Sequence, residues 1–322
     1  MGGIGFSIDS AMHQRVAITG PAEPEARLAE LRADLAARLY GKQHVIDHAL
    51  VCLLAGGHLL IEDAPGMGKT TLATGLARVL GLDFSRIQFT SDLLPGDILG
   101  LSVYDPARTN FVFRPGPIFH ALVMADEINR ANPRTQSALL EAMAEGYVSI
   151  DGATRALPRP FHVIATQNPA DQGGTFALPD SQLDRFLMCL SIGYPPPEAE
   201  RRLLGGDMPV GDAARPAASL DLAACQAEVA RVAVTPPLID YLLALIAASR
   251  EPRDFITGLS PRAGIALRRA AQAQAWLAGR DHVRPADVQA VLGPVVDHRL
   301  TLAQATEKRA PSAVLAAQVR LD

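Results

Sequence analysis

Residues 61–71 read IEDAPGMGKTT, and this stretch decides the fold class. Its end, Gly68-Lys69-Thr70, is that of a phosphate-binding loop, but the pattern G-x-x-x-x-G-K-[ST] requires glycine where this chain has Asp63. An apolar run at 58–62 precedes the loop, and a helical stretch at 70–80 follows it. A strand, a glycine-rich loop and a helix in this order are the context that the motif requires, so we predict a nucleotide-binding site here.

The loop itself is expected to bind the phosphates. Gly66 and Gly68 permit the positive φ and the close approach of backbone N–H groups to an anion. Lys69 would neutralise the β- and γ-phosphates, and the hydroxyl of Thr70 would bind Mg²⁺. The predicted nucleotide contacts are Pro65, Gly66, Met67, Gly68, Lys69, Thr70 and Thr71. The alternative is an ordinary strand-to-helix turn that contains Gly-x-Gly-Lys by chance.

Asp63 is the feature that argues against this site. A carboxylate turned inward about 8 Å from a phosphate would cost about 2 kcal/mol per phosphate charge at an effective dielectric constant of about 20. The first position of the loop adjoins the end of the strand, and it need not approach the phosphates as closely as Gly66 and Gly68 do. We therefore expect the Asp63 side chain to point away from the nucleotide or to be paired with another group.

Two adjacent carboxylates follow a later apolar run. Residues 121–125 read ALVMA and lead into Asp126-Glu127, and a buried strand cannot easily shield two carboxylates unless they face a polar site. Hydrolysis of a nucleoside triphosphate needs one acidic residue to hold the metal ion and another group to polarise the attacking water. We assign Asp126, with Thr70, to Mg²⁺ and Glu127 to the water. The alternative is a strand that runs into a solvent-exposed loop.

The composition excludes several classes of function. The chain has 322 residues, with 30 Lys and Arg against 34 Asp and Glu, so its formal net charge of −4 offers no bulk attraction to nucleic acid or to an anionic membrane. No apolar run approaches the roughly 20 residues that span a bilayer, and the first residues do not read as a secretory signal. We therefore expect a cytoplasmic protein that neither binds nucleic acid nor inserts into a membrane.

Strands and helices alternate as far as a proline run at 195–197. The apolar runs after the loop lie at 86–89, 121–125, 161–165 and 186–192, and a helix is predicted at 135–145. Such alternation predicts an α/β fold with a mainly parallel sheet that helices cover on both faces. The stretches after the proline run, at 219–233, 236–249, 261–278 and 285–292, are helical in pattern.

Three segments follow from this pattern. Residues 1–24 show no clear periodicity and are predicted to form a flexible tail. Residues 25–194 are predicted to form the nucleotide-binding α/β core. Residues 195–322 are rich in Ala, Leu and Arg and are predicted to form a small helical domain.

Six segments in a fixed order resemble the MoxR family of AAA+ ATPases. They read EDAPGMGKTTLA, RIQFTSDLLPGDILG, FRPGPIF, ADEINRANPRTQSALLEAMAEG, VIATQNPADQGGTFALPDSQLDRF and GLSPRA. The resemblance runs from about residue 41 to residue 194 and continues more weakly through the helical domain. It implies the AAA+ P-loop fold, with the helical domain as a lid on the core and with ATP and Mg²⁺ as cofactors.

The resemblance also implies roles near the nucleotide for two further residues. Asn168 corresponds to sensor 1, whose side-chain amide helps to orient the attacking water beside Glu127. An asparagine before a proline is also common in turns, which is the alternative for this position. Gly41 lies where the family forms part of the adenine pocket through backbone contacts.

Two arginines correspond to residues that act between subunits or from the lid. Arg185 matches the arginine finger, which would reach the nucleotide of a neighbouring subunit. Alternatively, it forms a surface pair with Asp180 or Asp184. Arg262 matches sensor 2 at the start of a lid helix, and the resemblance leaves open whether it acts on its own nucleotide or on that of the neighbour.

The segment at 91–119 is an insertion between two core strands. Its Pro, Gly and aromatic residues indicate a hairpin-like loop rather than a long helix. The resemblance places such an insertion near the pore or the axial face of a ring, where its aromatic side chains would either pack the loop down or contact a partner.

The sequence thus predicts an Mg²⁺-dependent ATPase that assembles as a ring, by resemblance a hexamer, and remodels or activates a partner protein in a chaperone-like role. The resemblance suggests a client with a von Willebrand factor A domain. One alternative is a motor subunit of a chelatase-like or nucleic-acid-remodelling complex, which would use the same residues. Another is a nucleotide-dependent scaffold without hydrolysis, in which Asp63 has impaired the loop.

Overall fold

A computed structural model describes residues 22–107, 109–169, 173–206, 220–303 and 309–319. The predicted tail at 1–24 lies outside these residues except for its last three, and there the prediction is wrong, because helix α1 (Ala22–Ala36) begins at Ala22. Pro24 is compatible with this start, since proline is tolerated in the first turn of a helix. Leu28, Leu31, Leu35 and Leu39, which recur at helical spacing, are all buried.

The described part of the core is built around a five-stranded sheet. Its helices are α2 (Gln43–Leu54), α3 (Lys69–Val79), α4 (Pro95–Leu99), α5 (Pro133–Glu145) and α6 (Asp180–Leu183). Its strands are β1 (Leu59–Glu62), β2 (Phe84–Gln88), β3 (Gly100–Asp105), β4 (Asn110–Pro115), β5 (Leu122–Asp126), β6 (Tyr147–Ile150), β7 (Ala153–Ala156), β8 (His162–Gln167) and β9 (Met188–Leu190). The sheet has the order β2-β5-β8-β1-β9 with parallel pairs throughout, which confirms the predicted α/β fold.

The strand register brings three strand ends together. Leu59 of β1 and Met124 of β5 both lie opposite Ile164 of β8, one on each side of it. The carboxyl ends of β1, β5 and β8 therefore share one edge of the sheet. Ligands of open parallel sheets bind outside this edge.

Both faces of the sheet are covered. Leu59 belongs to one apolar cluster and Leu60 to another, because successive side chains of a strand point to opposite faces. Ile46 of α2 and Leu72 of α3 pack in the first cluster, and Leu139 of α5 packs in the second. This arrangement explains why the strands read as continuous apolar runs.

The helical domain packs directly on the core. It contains α7 (Pro197–Leu204), α8 (Leu222–Val229), α9 (Pro236–Ala248), α10 (Pro261–Leu277), α11 (Pro285–Val296) and α12 (Pro311–Gln318), with a small antiparallel pair, β10 (Phe255–Thr257) and β11 (Thr301–Leu302). Helices α8 to α11 were predicted, whereas α7 and α12 were not. Leu267 of α10 joins the same apolar cluster as Leu50 of α2. Among the described residues, no helix is long and apolar enough to cross a membrane.

The insertion at 91–119 forms the predicted hairpin, in which β3 and β4 pair antiparallel along their whole length. Its base requires glycine at position 100, where φ is 95° and a Cβ would lie 2.3 Å from the Arg114 carbonyl oxygen. Phe111 on β4 is 71% exposed, and its ring meets that of Tyr104 edge-on with the centroids 5.5 Å apart. The hairpin therefore presents aromatic surface to solvent.

Two histidines, the partly buried His58 and the buried His162, lie at the amino-terminal edge of the sheet. The ring of His58 donates from Nε2 to the Met143 carbonyl at 3.1 Å and accepts a backbone N–H at Nδ1. The ring of His162 donates from Nδ1 to the Gly57 carbonyl at 2.8 Å and accepts from the Gln226 amide at 3.0 Å. Only a neutral imidazole supplies one donor and one acceptor. Burial lowers the pKa of His58 to about 3 and the pKa of His162 to about 4.

Because of these two histidines, the free energy of unfolding should fall as the pH drops below about 6.5. In the unfolded chain histidines are protonated near pH 6.5, so between that pH and the lower folded pKa values the unfolded state binds more protons than the folded state. In that range each of these histidines lowers the free energy of unfolding by about 1.4 kcal/mol per pH unit. Thermal unfolding at about pH 7.5 and about pH 5 measures the slope. His162→Gln should weaken the pH dependence. Equal slopes in the wild type and in this variant would contradict this account.

Candidate nucleotide-binding site

The phosphate loop lies between a strand and a helix. β1 ends at Glu62, and α3 begins at Lys69. Gly66 and Gly68 have φ values of 83° and 90°, in the left-handed region that glycine enters without strain. The first N–H groups of α3 have no acceptor within the helix and, with the helix dipole, favour an anion at this point.

The Lys69 ammonium lies among carboxylates. Its Nζ donates to the main-chain oxygen of Asp63 at 2.7 Å. Burial lowers the pKa of Lys69, and the negative charges of Asp63, Asp126 and Glu127 oppose that change. The structure therefore brings the lysine of the loop and the acidic pair of β5 into one site.

Asp126 is a buried carboxylate with two protein partners. It accepts the Thr166 hydroxyl at 2.6 Å and the Arg86 guanidinium at 2.5 Å. An ionised carboxylate offers about four acceptor positions, so these partners leave capacity for a cation. Mg²⁺ takes hard oxygen ligands, and the Asp126 carboxylate and the Thr70 hydroxyl are of that kind. The donor set at this edge of the sheet therefore fits Mg²⁺.

Glu127 follows Asp126 in an uncommon backbone conformation. Its φ of 56° and ψ of 49° fall in the left-handed region. Residues other than glycine seldom adopt this conformation, and those that do are often found at functional sites. Its N–H donates to the Thr166 hydroxyl at 2.9 Å, and its carboxylate accepts from Gln88 at 3.0 Å and from Arg130 at 3.1 Å. These contacts fix the carboxylate beside the phosphate loop.

Three residues of this site were missed by the sequence reasoning, namely Thr166, Arg86 and Gln88. The Thr166 hydroxyl donates to Asp126 and accepts from the Glu127 N–H, so it orients both members of the acidic pair. Its signal in the sequence is a single hydroxyl inside the apolar run of β8. Arg86 and Gln88 alternate along β2, and only the strand order shows that they face the end of β5.

Asn168 lies one residue beyond β8 at the same edge of the sheet. Ala165 of β8 is opposite Ala125 of β5, so in the parallel register Asn168 emerges next to the acidic pair. The side chain is half-buried. The register thus places Asn168 at the edge of the sheet where Lys69, Asp126 and Glu127 lie.

Known proteins match the same segments. The family described as "ATPase family associated with various cellular activities (AAA)" matches residues 58–188, and the AAA lid domain family matches residues 247–317. Chaperone MoxR1 from Mycobacterium tuberculosis is 41% identical over 276 residues, which are 82% of this chain and 73% of the relative. Protein MoxR from Paracoccus denitrificans is 33% identical over 313 residues, which are 88% of this chain and 91% of the relative. The chain belongs to the MoxR family of AAA+ ATPases.

A solved structure gives the same result for the fold of this MoxR protein. It is described as a "putative ATPase" from Cytophaga hutchinsonii, is 33% identical, and matches with a TM-score of 0.84 over 93% of this chain and 96% of that chain. The two chains therefore share one fold over most of their length.

Arg185, the predicted arginine finger, lies at the opposite edge of the sheet. The N–H of nearby Leu187 donates to the His58 carbonyl at 2.8 Å, just before β1 begins. The phosphate loop follows the other end of β1, and at about 3.3 Å per residue the two edges are roughly 15 to 20 Å apart. Arg185 donates to the Leu140 carbonyl at 2.6 Å. The structure therefore does not bring Arg185 to the phosphate loop of its own chain.

Arg262, the predicted sensor 2 residue, joins Arg185 at this edge. The two arginines line one pocket between core and lid, together with Arg269, Arg299 and His58. In this MoxR protein, Arg262 therefore lies away from Lys69 of its own chain.

Hydrogen bonds to Asp184 link the lid to the segment that contains Arg185. Its carboxylate accepts the Ser260 hydroxyl at 2.9 Å and the Arg299 guanidinium at 2.8 Å. Ser260 is the N-cap of α10, and Arg262 follows two residues later. Asp184 thus pairs with lid residues rather than with Arg185, which was the alternative partner considered for it.

Gly41 lies between the phosphate loop and the start of the lid. Its φ is 71°, and a Cβ there would lie 2.5 Å from Cγ of Pro196, so the position requires glycine. Leu39, two residues earlier, comes close to Gly68, where an added Cβ would be 3.0 Å from Leu39 Cδ2. Gly41, the predicted adenine-pocket residue, therefore lies near the phosphate loop.

Proposed function

We propose that this MoxR protein is an Mg²⁺-dependent ATPase that works as a ring. The observation that carries the proposal is that Lys69, Asp126 and Glu127 meet at the carboxyl edge of the sheet. A phosphate-binding ammonium, a metal-binding carboxylate and a second carboxylate for the water are the groups that hydrolysis of a nucleoside triphosphate requires. Membership of an AAA+ family supports the same reading.

Each residue has a distinct role in the proposed reaction. The loop residues Pro65, Gly66, Met67, Gly68 and Thr71 bind the phosphates with Lys69, and Gly41 contributes to the adenine pocket. Mg²⁺, held by Thr70 and Asp126, would neutralise charge on the β- and γ-phosphates. Glu127 polarises the attacking water and takes its proton, and Asn168 orients that water.

We propose that the amino edge of one copy's sheet contacts the carboxyl edge of the sheet in the next copy. Arg185 and Arg262 lie far from their own phosphate loop, so they would complete the site of a neighbouring copy. Contact between the amino edge of one copy and the carboxyl edge of the next is heterologous, and such a contact forms a closed ring when the rotation per subunit permits. By resemblance to the family, we propose a hexamer.

The proposed result of hydrolysis is the remodelling of a partner protein. A relative at 41% identity is named Chaperone MoxR1, and the net charge of −4 offers no bulk attraction to DNA. The proposed client, by family resemblance alone, carries a von Willebrand factor A domain. ATP turnover should stay unchanged when duplex DNA is added. Salt-sensitive stimulation by DNA would instead indicate a nucleic-acid-remodelling motor.

Lys69→Ala should weaken ATP binding at least about 30-fold, because hydrogen bonds to charged groups are worth about 1.5 to 3 kcal/mol each. Titration with a fluorescent ATP analogue and Mg²⁺ measures the affinity. Arg253→Ala is the matched control, since it removes one positive charge from a lid side chain that is 85% exposed. Equal affinity in the wild type and in Lys69→Ala would contradict the assignment of the phosphate loop.

A further inference from the structure

The residue that departs from the phosphate-loop pattern binds the segment that leads to the lid. Asp63 is only 8% exposed. Its Oδ2 accepts the N–H groups of Ile192 and Gly193, the latter at 3.0 Å, and its Oδ1 accepts the Ser191 hydroxyl at 3.3 Å. Residues 191–194, the lid linker, form the first part of the connection between β9 and α7. The expectation that Asp63 is paired is thus confirmed.

The Asp63 carboxylate extends the hydrogen bonding between β1 and β9 past the point where the main chain of β1 turns away. β1 pairs with β9 as far as Ile61 opposite Leu190. Beyond this point the main chain turns into the phosphate loop, and the Asp63 N–H donates to Gln167 on the other side of β1. The carboxylate therefore supplies the acceptors that a longer β1 would have offered to the lid linker. Glycine at position 63 would leave those N–H groups without them.

Lys42 donates hydrogen bonds to the carbonyl groups of the same linker. Its Nζ donates to the main-chain oxygens of Ile192 at 2.6 Å and of Tyr194 at 2.5 Å. The lysine is buried, with 8% of its surface exposed. An anion thus binds the N–H groups of the lid linker while a cation binds its carbonyl groups, and both charged residues belong to the core.

Asp63 also contacts the phosphate site through its main chain. Its carbonyl oxygen accepts the Lys69 ammonium at 2.7 Å. A single residue therefore touches the group that binds the phosphates and the segment that carries the lid. The lid in turn carries Arg262, which lies at the edge proposed to face the next copy.

We propose that Asp63 is a positioning residue that couples the phosphate site to the lid, with Lys42 as its counterpart on the lid linker. When nucleotide binds and changes the loop, Asp63 shifts the lid linker, and the lid then changes the position of Arg262. The proposal rests on the proposed ATPase function and deepens it, because it names the residue through which an occupied loop sets the position of the lid.

Asp63→Ala and Asp63→Asn distinguish this role from simple support of the loop. Asparagine keeps the geometry, since its oxygen accepts both N–H groups and its amide donates to Ser191, whereas alanine keeps neither contact. Asp63→Ala should lower kcat for ATP hydrolysis at least about tenfold with less than about a threefold change in affinity for the ATP analogue. Asp63→Asn should retain at least about half of the wild-type kcat.

Hydrogen exchange provides a readout that does not depend on hydrolysis. ATP with Mg²⁺ should alter exchange in α10 of the wild type and of Asp63→Asn. In Asp63→Ala, the peptide at 188–196 should exchange faster and the response of α10 should be lost. Full kcat with an intact lid response in Asp63→Ala would overturn the proposal, and so would a loss of ATP affinity as large as that of Lys69→Ala. A wild type that binds ATP without hydrolysing it would contradict the proposed function alone, and the exchange data would still decide the role of Asp63.

Lys42→Met tests the linker from its other side and remains informative if Asp63→Ala does not fold. Methionine keeps most of the length of the side chain and removes the donors. The variant should show the same faster exchange at 188–196 and the same lost response of α10. Combined with Asp63→Ala, its effect on kcat should be less than multiplicative, because both residues act on one segment. Multiplicative effects would mean separate actions and would overturn the shared role.

Discussion

Glu127→Gln should lower ATP turnover at least about a hundredfold while ATP still binds, because an amide of the same size cannot take the proton of the attacking water. The substitution keeps an oxygen for the hydrogen bonds from Gln88 and Arg130, so the strained backbone at this position should not be disturbed. Phosphate release at steady state measures turnover, and the fluorescent ATP analogue measures binding. Glu141→Gln, at an exposed position of α5, is the matched control.

The result separates two of the functions that the sequence left open. If the wild type and Glu127→Gln share one background rate while both bind ATP, the protein is a nucleotide-dependent scaffold rather than an ATPase. If the expected difference is found, the same variant held in ATP becomes a trap for the assembled state. A pull-down with it then tests whether a client with a von Willebrand factor A domain binds in a nucleotide-dependent way.

Arg185→Ala should lower ATP turnover about a thousandfold without a loss of ATP affinity, since an arginine finger contributes roughly 10³ to 10⁵ in rate. The physical reason is the position of Arg185 at the amino edge of the sheet, where it faces the proposed neighbour rather than its own nucleotide. Arg185→Lys keeps the charge and loses the planar guanidinium, so it should remain strongly impaired.

A mixture of two inactive variants tests whether Arg185 acts between copies. In mixed rings of Glu127→Gln and Arg185→Ala, an Arg185→Ala subunit with an intact Glu127 sometimes lies next to a subunit with an intact Arg185. Random assembly at equal amounts would restore about a quarter of the sites. A mixture of Arg185→Ala with the double variant should stay inactive. If the first mixture is also inactive, Arg185 does not act on a neighbour.

The fold could be predicted because its signals are local in the sequence. The strands of the sheet are short apolar runs, and the helices between them show apolar repeats or end at glycine, as α5 does at Gly146. Helices α7 and α12 were missed for the opposite reason. Each has eight residues and one buried position, Ala199 or Leu315, so neither carries an apolar repeat.

The supporting residues of the site could not be predicted, because they depend on strand order. The contact of Thr166 with Asp126 joins residues 40 positions apart, and it exists only because β8 lies beside β5. The bonds of Asp63 span about 130 positions to the lid linker. The sequence indicated that Asp63 had to be paired, but its partners followed only from the point at which β1 separates from β9.

The lid is attached to the core at two opposite edges of one sheet. Asp184 bonds it at the amino edge, and the linker held by Asp63 and Lys42 joins it at the carboxyl edge. A body fixed at two such points cannot turn about one of them without straining the other. A shift of the linker must therefore be absorbed by bending of the lid helices or by displacement of Asp184 together with its neighbour Arg185. The surface proposed to face the next copy and the loop proposed to bind the phosphates are thus mechanically linked through the lid.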